Sequence, residues 1–129
     1  MSEPTFLALA DVVMIHVDQI EKYGGRPGVR DWRLLQAAVA MPGASFAGEW
    51  LHRDLFEMAG AYAFHISQDH PFFDGNKRTA LACALVFLTL SGITLKDPEG
   101  CLYSAMMGVA TGQLDKYGVA GIFRTLAKK

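Results

Sequence analysis

The chain has 129 residues, 51% of them apolar, and a formal net charge of −1 at pH 7. That length fits one domain with a real core, the apolar content excludes a disordered chain, and the charge balance excludes a general pull toward nucleic acid or anionic membrane, so any phosphate binding must be local. The two cysteines, Cys83 and Cys101, make no disulfide framework, the Ser2-Glu3-Pro4 opening lacks the basic stretch of a signal peptide, and no apolar run reaches the ~20 residues of a membrane span; a cytoplasmic protein is expected.

From Phe6 to Tyr23 the spacing predicts an amphipathic helix, with Leu7, Ala10, Met14, Val17 and Ile20 or Glu21 on one face and Asp11, Asp18 and Lys22 on the other. His16 has no second ligand at i+3 or i+4 and reads as a surface or boundary histidine. Three glycines and a proline stop the helix at Tyr23-Gly24-Gly25-Arg26-Pro27-Gly28-Val29-Arg30-Asp31. This is a turn or short hairpin lying over something, from which Arg26 and Arg30 either contact a substrate or face solvent. Asp31 is placed to cap a second helix, Trp32 to Met41, with Leu34, Leu35, Ala38 and Val39 inward. Residues 44–52 read as an irregular connection anchored by Phe46 and Trp50.

A third helix, Arg53 to Gln68, buries Leu55, Met58 or Ala59, Tyr62, Ala63 and Ile66. His65 and His70, five apart across its end, lack the spacing of a zinc pair. Thr79 to Leu90 is apolar nearly all round and predicts a central helix, closed by Ser91-Gly92. Ile93 to Leu95 reads as a brief extended piece. Asp97-Pro98-Glu99 opens a helix through Ala110, and Asp115 to Leu126 is the last, with Lys128 and Lys129 set against its negative end. No alternation of five or more residues predicts a strand. The fold class is therefore all-α: one domain, residues 1–129, built as a compact bundle of about six helices around Thr79–Leu90.

Between the third helix and the apolar one lies His70-Pro71-Phe72-Phe73-Asp74-Gly75-Asn76-Lys77-Arg78. A polar loop feeding an apolar helix is a common anion site, because the first N–H groups of the helix are unpaired and its dipole makes that end positive. Gly75 permits φ > 0 and close approach of a ligand, and Asn76 is expected as the N-cap. Lys77 and Arg78 oppose the dipole by ~0.3–1 kcal/mol each. A bound polyanion would remove that conflict; side chains pointing to water would leave it standing. Transfer of a phosphoryl or nucleotidyl group to a hydroxyl needs a base and counter-charge. Here His70 suits the base, Asp74 offers hard oxygen to Mg²⁺, Gly75 and Asn76 offer backbone donors, and Lys77 and Arg78 offer charge. Phe72, between base and acid, is expected to anchor the loop in the core.

This run resembles the Fic/Doc motif, His-x-Phe-x-(Asp/Glu)-Gly-Asn-(Gly/Lys)-Arg, and Tyr23 to Gly28 with the helix spacing around it is similar to the death-on-curing branch of that family. The resemblance spans nearly the whole chain. It implies an all-helical Fic fold, ATP as phosphate donor with Mg²⁺, His70 as base, Asp74 as metal ligand and Gly75 to Arg78 as phosphate cradle. The Tyr23–Asp31 turn, with Arg26 and Arg30, would be the flap that aligns a protein target. Lys77 stands where AMP-transferring Fic enzymes usually carry Gly and death-on-curing toxins carry Lys. This implies transfer of the terminal phosphate to a Ser/Thr hydroxyl of elongation factor Tu, blocking translation. Gly75 follows the general Fic form where some death-on-curing members have Ala, which keeps a protein adenylyltransferase as the alternative. A catalytically silent binding module is the third reading, against which the intact His70, Asp74, Asn76 and Arg78 argue. The family's self-inhibitory helix, Ser/Thr-x-x-x-Glu-(Gly/Asn), is incomplete, since Ser45-Phe46-Ala47-Gly48-Glu49 is followed by Trp50. The resemblance then implies inhibition in trans by a cognate, Phd-like antitoxin covering part of an apolar-rich surface, with no nucleic acid or membrane as partner.

Overall fold

Aspartates start most of the helices in this chain. The computed structural model describes residues 3–127, so Ser2 and the expected pairing of Lys128 and Lys129 with the last helix lie outside the described residues. Helices α1 (Leu9–Tyr23), α2 (Trp32–Ala40), α3 (Leu55–Asp69), α4 (Asn76–Leu90), α5 (Cys101–Ala110) and α6 (Lys116–Ala127) follow one another, with a two-stranded antiparallel hairpin, β1 (Ser45–Phe46) and β2 (Glu49–Trp50), between α2 and α3. Asp31 Oδ1 accepts from Leu34 N at the start of α2 (3.1 Å) and Asp54 Oδ1 from Glu57 N at the start of α3 (2.8 Å). Asp97 accepts from Cys101 N and Leu102 N (2.7 and 2.9 Å), and Asp115 from Gly118 N (2.9 Å). Each carboxylate satisfies orphan N–H groups and complements the positive helix end. Helix α4 departs from this pattern: Gly75 precedes it without a side-chain cap, and no acid lies in its first turn.

Helix α3 packs against α2, α4, α5 and α6, and α4 packs against α1, α3 and α5, so these two helices share the centre of the bundle. Every residue from Glu57 to Ala63 is buried, more than the single stripe read from the spacing. The core around them includes Tyr62, Ile66, Phe72, Phe87, Leu88 and Phe123. Tyr62 Oη accepts from Leu7 N (2.8 Å), which fastens the segment leading into α1 across the bundle. Burial pushes the Tyr62 pKa up to about 12.

Several boundaries and faces differ from expectation. Helix α1 begins at Leu9, and its buried positions are Val12 and His16, while Met14 and Val17 are 65% and 41% exposed. The sequence holds two apolar stripes on this helix. Counting His16 as polar broke the stripe that packs inward and left Ala10, Met14 and Val17 looking like the core face. Residues 45–50 form the small hairpin in place of an irregular connection, and Phe46 is 83% exposed rather than an anchor. Trp50 is also exposed, although its ring meets Phe6 edge-on at 5.4 Å. Residues 93–95 form no strand, and α5 begins at Cys101 because Asp97 to Gly100 make the turn that Asp97 caps.

Two tests follow from the packing. A Cβ on Gly60 would stand 2.5 Å from Lys116 O, where α6 crosses α3. Helix propensity alone would make Gly60→Ala more stable by ~1 kcal/mol; the contact reverses the sign, and a loss of ~1–3 kcal/mol in urea unfolding is expected. The second concerns pH. Burial lowers the pKa of His16, His52 and His65, His65 to about 4, and the charge of Lys116, whose Nζ lies 3.3 Å from His65 Nε2, also lowers His52 and His65. The fold therefore favours neutral rings, and below the ordinary value of 6.5 the unfolded chain binds more protons than the folded one. Stability should fall as pH drops from 6.5 toward 4. The urea midpoint should be lower at pH 5 than at pH 7, with a smaller difference in His65→Gln.

Candidate active site

Helix α3 ends at Asp69, and His70 follows in the left-handed region, at φ 49° and ψ 53°. A non-glycine residue there costs about 1–2 kcal/mol, so something must hold it. Arg30 does: its Nε (2.8 Å) and a terminal nitrogen both donate to the His70 carbonyl, and the same nitrogen lies 3.3 Å from Asp69 O. The guanidinium satisfies carbonyls that the helix end leaves unpaired and complements its negative pole. Beside it, the turn after α1 runs antiparallel to the motif loop. Val29 is bridged to Phe72, Arg30 N and Asp31 N donate to Pro71 O (2.7 and 3.1 Å), and Phe73 N donates to Gly28 O (3.3 Å).

Phe72 is buried, as expected of an anchor, and its ring stacks on His16 with centroids 3.8 Å apart and planes 5° from parallel. His16 Nε2 lies 2.9 Å from Asp74 O. A carbonyl only accepts, so this nitrogen carries the hydrogen. Burial lowers the His16 pKa, and the Asp74 carbonyl opposes that shift. His16 is therefore a support under the motif loop and not a surface residue. Asn76 is likewise not the N-cap. Gly75, at φ 72°, occupies that position, and Asn76 is the first residue of α4. Its buried amide turns back on the loop: Oδ1 accepts from Phe72 N (2.9 Å) and Nδ2 donates to Phe72 O (3.0 Å). That pair fixes the orientation of the amide, whose Nδ2 is also 3.3 Å from His70 Nδ1. That contact is at the long end of hydrogen bonding.

His70, Phe73, Asp74, Gly75, Asn76, Lys77 and Arg78 line one cavity of about 370 Å³. Asp74 Oδ1 accepts from Gly75 N (2.9 Å) and Oδ2 from Arg26 N (3.1 Å), and these two bonds, that from Arg26 first, lower its pKa. Arg78 donates to Gly24 O (2.9 Å), and Lys77 is exposed and makes no ion pair among the described residues. The structure thus gathers six of the expected residues around one cavity. Arg26 and Arg30 are not among its lining: the Arg26 guanidinium lies 3.8 Å over the Phe73 ring, and Arg30 sits behind His70. His16 was the residue missed. Its i, i+4 relation to Val12 and Ile20 was the available signal. Each Asp74 oxygen accepts one backbone N–H and keeps further lone pairs, so the carboxylate fits a hard cation. Among the described residues no three acidic, His or Cys side chains gather as metal ligands. A cation at Asp74 would need phosphate oxygens to complete its shell.

A mostly helical bundle thus brings a histidine held left-handed at a helix end, a carboxylate and an uncapped cationic helix start to one cavity, an arrangement suited to an anionic ligand. The chain belongs to the Fic/DOC family, whose profile matches residues 6–88, from just before α1 nearly to the end of α4. It is 37% identical over 117 residues to the protein kinase doc of Escherichia phage P1, covering 90% of each chain. It is also 42% identical over 73 residues to the toxin Doc of Mycolicibacterium smegmatis, covering 57% of this chain and 56% of that one.

Asn76→Ala should destabilise the protein by ~1–3 kcal/mol, because both Phe72 backbone groups would be left buried and unpaired. Urea unfolding measures this, and a change under ~0.5 kcal/mol would contradict the clamp.

Proposed function

We propose that this Doc-branch chain is the toxin of a toxin–antitoxin pair and transfers the γ phosphate of ATP to a Ser or Thr hydroxyl of a protein target. The observation that carries this reading is the start of α4. Lys77 and Arg78 stand in a positive first turn with no acid to offset them, beside a cavity that also holds His70 and Asp74. The pattern makes electrostatic sense with a polyanion in that cavity. The printed name of the phage P1 relative, a protein kinase, supports phosphate rather than AMP as the transferred group, and that of the mycobacterial relative supports a toxin. The resemblance of the motif leads us to propose elongation factor Tu as target and a Phd-like antitoxin as partner.

In this reading His70 accepts the proton of the target hydroxyl as its oxygen forms a bond to the γ phosphorus. The bond from that phosphorus to the bridging oxygen breaks, and ADP leaves with the electron pair. Asp74 would hold Mg²⁺, which supplies positive charge to the phosphate oxygens. Lys77 and the N–H groups at the start of α4 stabilise charge on the transferred group. The turn at 24–31 lies along the motif loop, beside the point where a target segment must bring its hydroxyl. Arg30 keeps the His70 backbone in place, and Arg26 supplies its N–H to Asp74.

His70→Ala should keep its fold and lose transfer by ~10²–10⁴-fold. Lys77→Ala should lose activity equivalent to a few kcal/mol of transition-state stabilisation, on the order of 10²-fold or more. Parallel assays with α- and γ-labelled ATP and elongation factor Tu should put only the γ label on the target. Label from the α position would replace this reaction with adenylyl transfer, and label from neither would favour a binding module. Expression of the chain alone should arrest growth, and co-expression of the antitoxin should restore it.

A further inference from the structure

Lys116 opens α6 at the place where that helix crosses α3. Its Nζ lies 3.3 Å from His65 Nε2, and among the described residues it makes no ion pair. The contact fixes the state of the ring. An ammonium has hydrogens to give and no lone pair, so His65 offers its lone pair at Nε2 and carries its hydrogen at Nδ1. The two acids whose charge reaches Lys116 have other partners. Glu57 is buried and accepts from Arg53 N, Nε and a terminal nitrogen (2.9, 3.1 and 2.8 Å), and Asp115 accepts from Gly118 N. The Tyr117 ring lies 5.7 Å from Nζ. His52 is fully buried with neither ring nitrogen bonded.

A cation in this position is poorly supported. The start of a helix is its positive end, loss of water raises the cost of the ammonium, and a neutral imidazole returns less than a carboxylate would. Burial accordingly lowers the Lys116 pKa, against the pull of Asp115 and Glu57. The cost is shared, because the charge of Lys116 also lowers His65 and His52. Loss of a proton from Lys116 leaves the contact intact. A neutral amine still gives one hydrogen to His65 Nε2 and turns its lone pair away from the ring.

We infer that Lys116 is a modification site: an amine nucleophile, held by His65, that takes an acyl group from a small acyl phosphate. Desolvation is a usual way to activate a lysine as nucleophile. In the step, the Nζ lone pair forms a bond to the acyl carbon and the bond from that carbon to the phosphate oxygen breaks. The phosphate leaves with the electron pair and takes the proton that the nitrogen sheds. Nothing is oxidised or reduced. The donor must be small, since Lys116 is half-buried between two helices, and it must bring its own leaving group, as an acyl phosphate does. The product is a neutral amide, so the charge that helps keep His52 and His65 unprotonated is lost. His65 is a positioning residue here. The site shares no residue with the cavity at His70 and does not depend on what that cavity binds.

The test treats the full chain with acetyl phosphate at pH 7 and follows each lysine by peptide mass spectrometry. Lys22 and Lys96, both exposed, are the internal references. Lys116 should acetylate on the order of threefold faster than either, or more. That lead should shrink as pH approaches 10.5, the ordinary lysine value, where the references lose their protons as well. In His65→Glu a carboxylate faces Nζ and holds the ammonium, so Lys116 should fall to the rate of the references or below. Wild-type Lys116 acetylating no faster than the references at pH 7, a lead that does not change with pH, or a folded His65→Glu protein that keeps the full lead would each overturn the site. The wild-type rates and their pH profile decide the matter even where His65→Glu does not fold.

Discussion

The site depends on a short piece of antiparallel backbone pairing, between residues 28–31 and 71–73. A helix that runs through the core needs an abrupt turn if its last residue is to reach a surface cavity, and here His70 makes that turn in a left-handed conformation. Nothing local to His70 favours it. The restraint comes from Arg30, roughly 40 positions earlier in the chain, which caps the α3 carbonyls while its own N–H joins the pairing through Pro71 O. The glycines of the turn make that approach possible. A Cβ on Gly25 would come within 2.8 Å of Asp74 Oδ2, so at this position the chain passes Asp74 as bare backbone.

The same turn holds both signs of charge in the site. Its N–H at Arg26 meets Asp74, and its carbonyl at Gly24 meets Arg78. Neutral backbone dipoles orient these two side chains without cancelling their charges, as a direct Asp–Arg pair would. Asp74 and Arg78 thus keep their charges available to a ligand in the cavity. Below the loop, the His16–Phe72 stack and the Asn76 amide supply the rigid floor. Cavity-lining side chains stand on one face of the loop, and packing side chains fill the other.

The legible features were those encoded by residues close in sequence. Asp31 ahead of Trp32, the apolar run after Arg78 and the nine-residue motif each carry their signal within a few positions, and they gave the helices and the cluster of cavity residues. What stayed hidden depends on long-range partners. Spacing could not show that Arg30 reaches the end of α3, because solvent and a helix carbonyl are equally good partners for a loop arginine until the fold places one of them nearby. Asn76 sits where an N-cap is expected, but Gly75 can adopt the cap conformation more cheaply, which freed the amide to fold back on Phe72. His16 was read as a surface or boundary residue from the lack of a second ligand at i+3 or i+4, which bears on metal binding and not on burial. A neutral imidazole stacked on Phe72 with one carbonyl partner is at home in a core. Among the described residues no helix is long and apolar enough to cross a membrane.

The Arg30–His70 contact joins two parts of the molecule with very different opening energies. Helix α3 is enclosed by four other helices, whereas Gly24 to Gly28 are exposed and held by a few hydrogen bonds. Local openings of a native protein begin in segments of the second kind. When that turn lifts, His70 loses its restraint, Asp74 and Arg78 lose their backbone partners, and the core remains folded. The cavity can therefore be disassembled at far less than the free energy of global unfolding. A molecule that seizes residues 24–31 would take the cavity apart without unfolding the bundle.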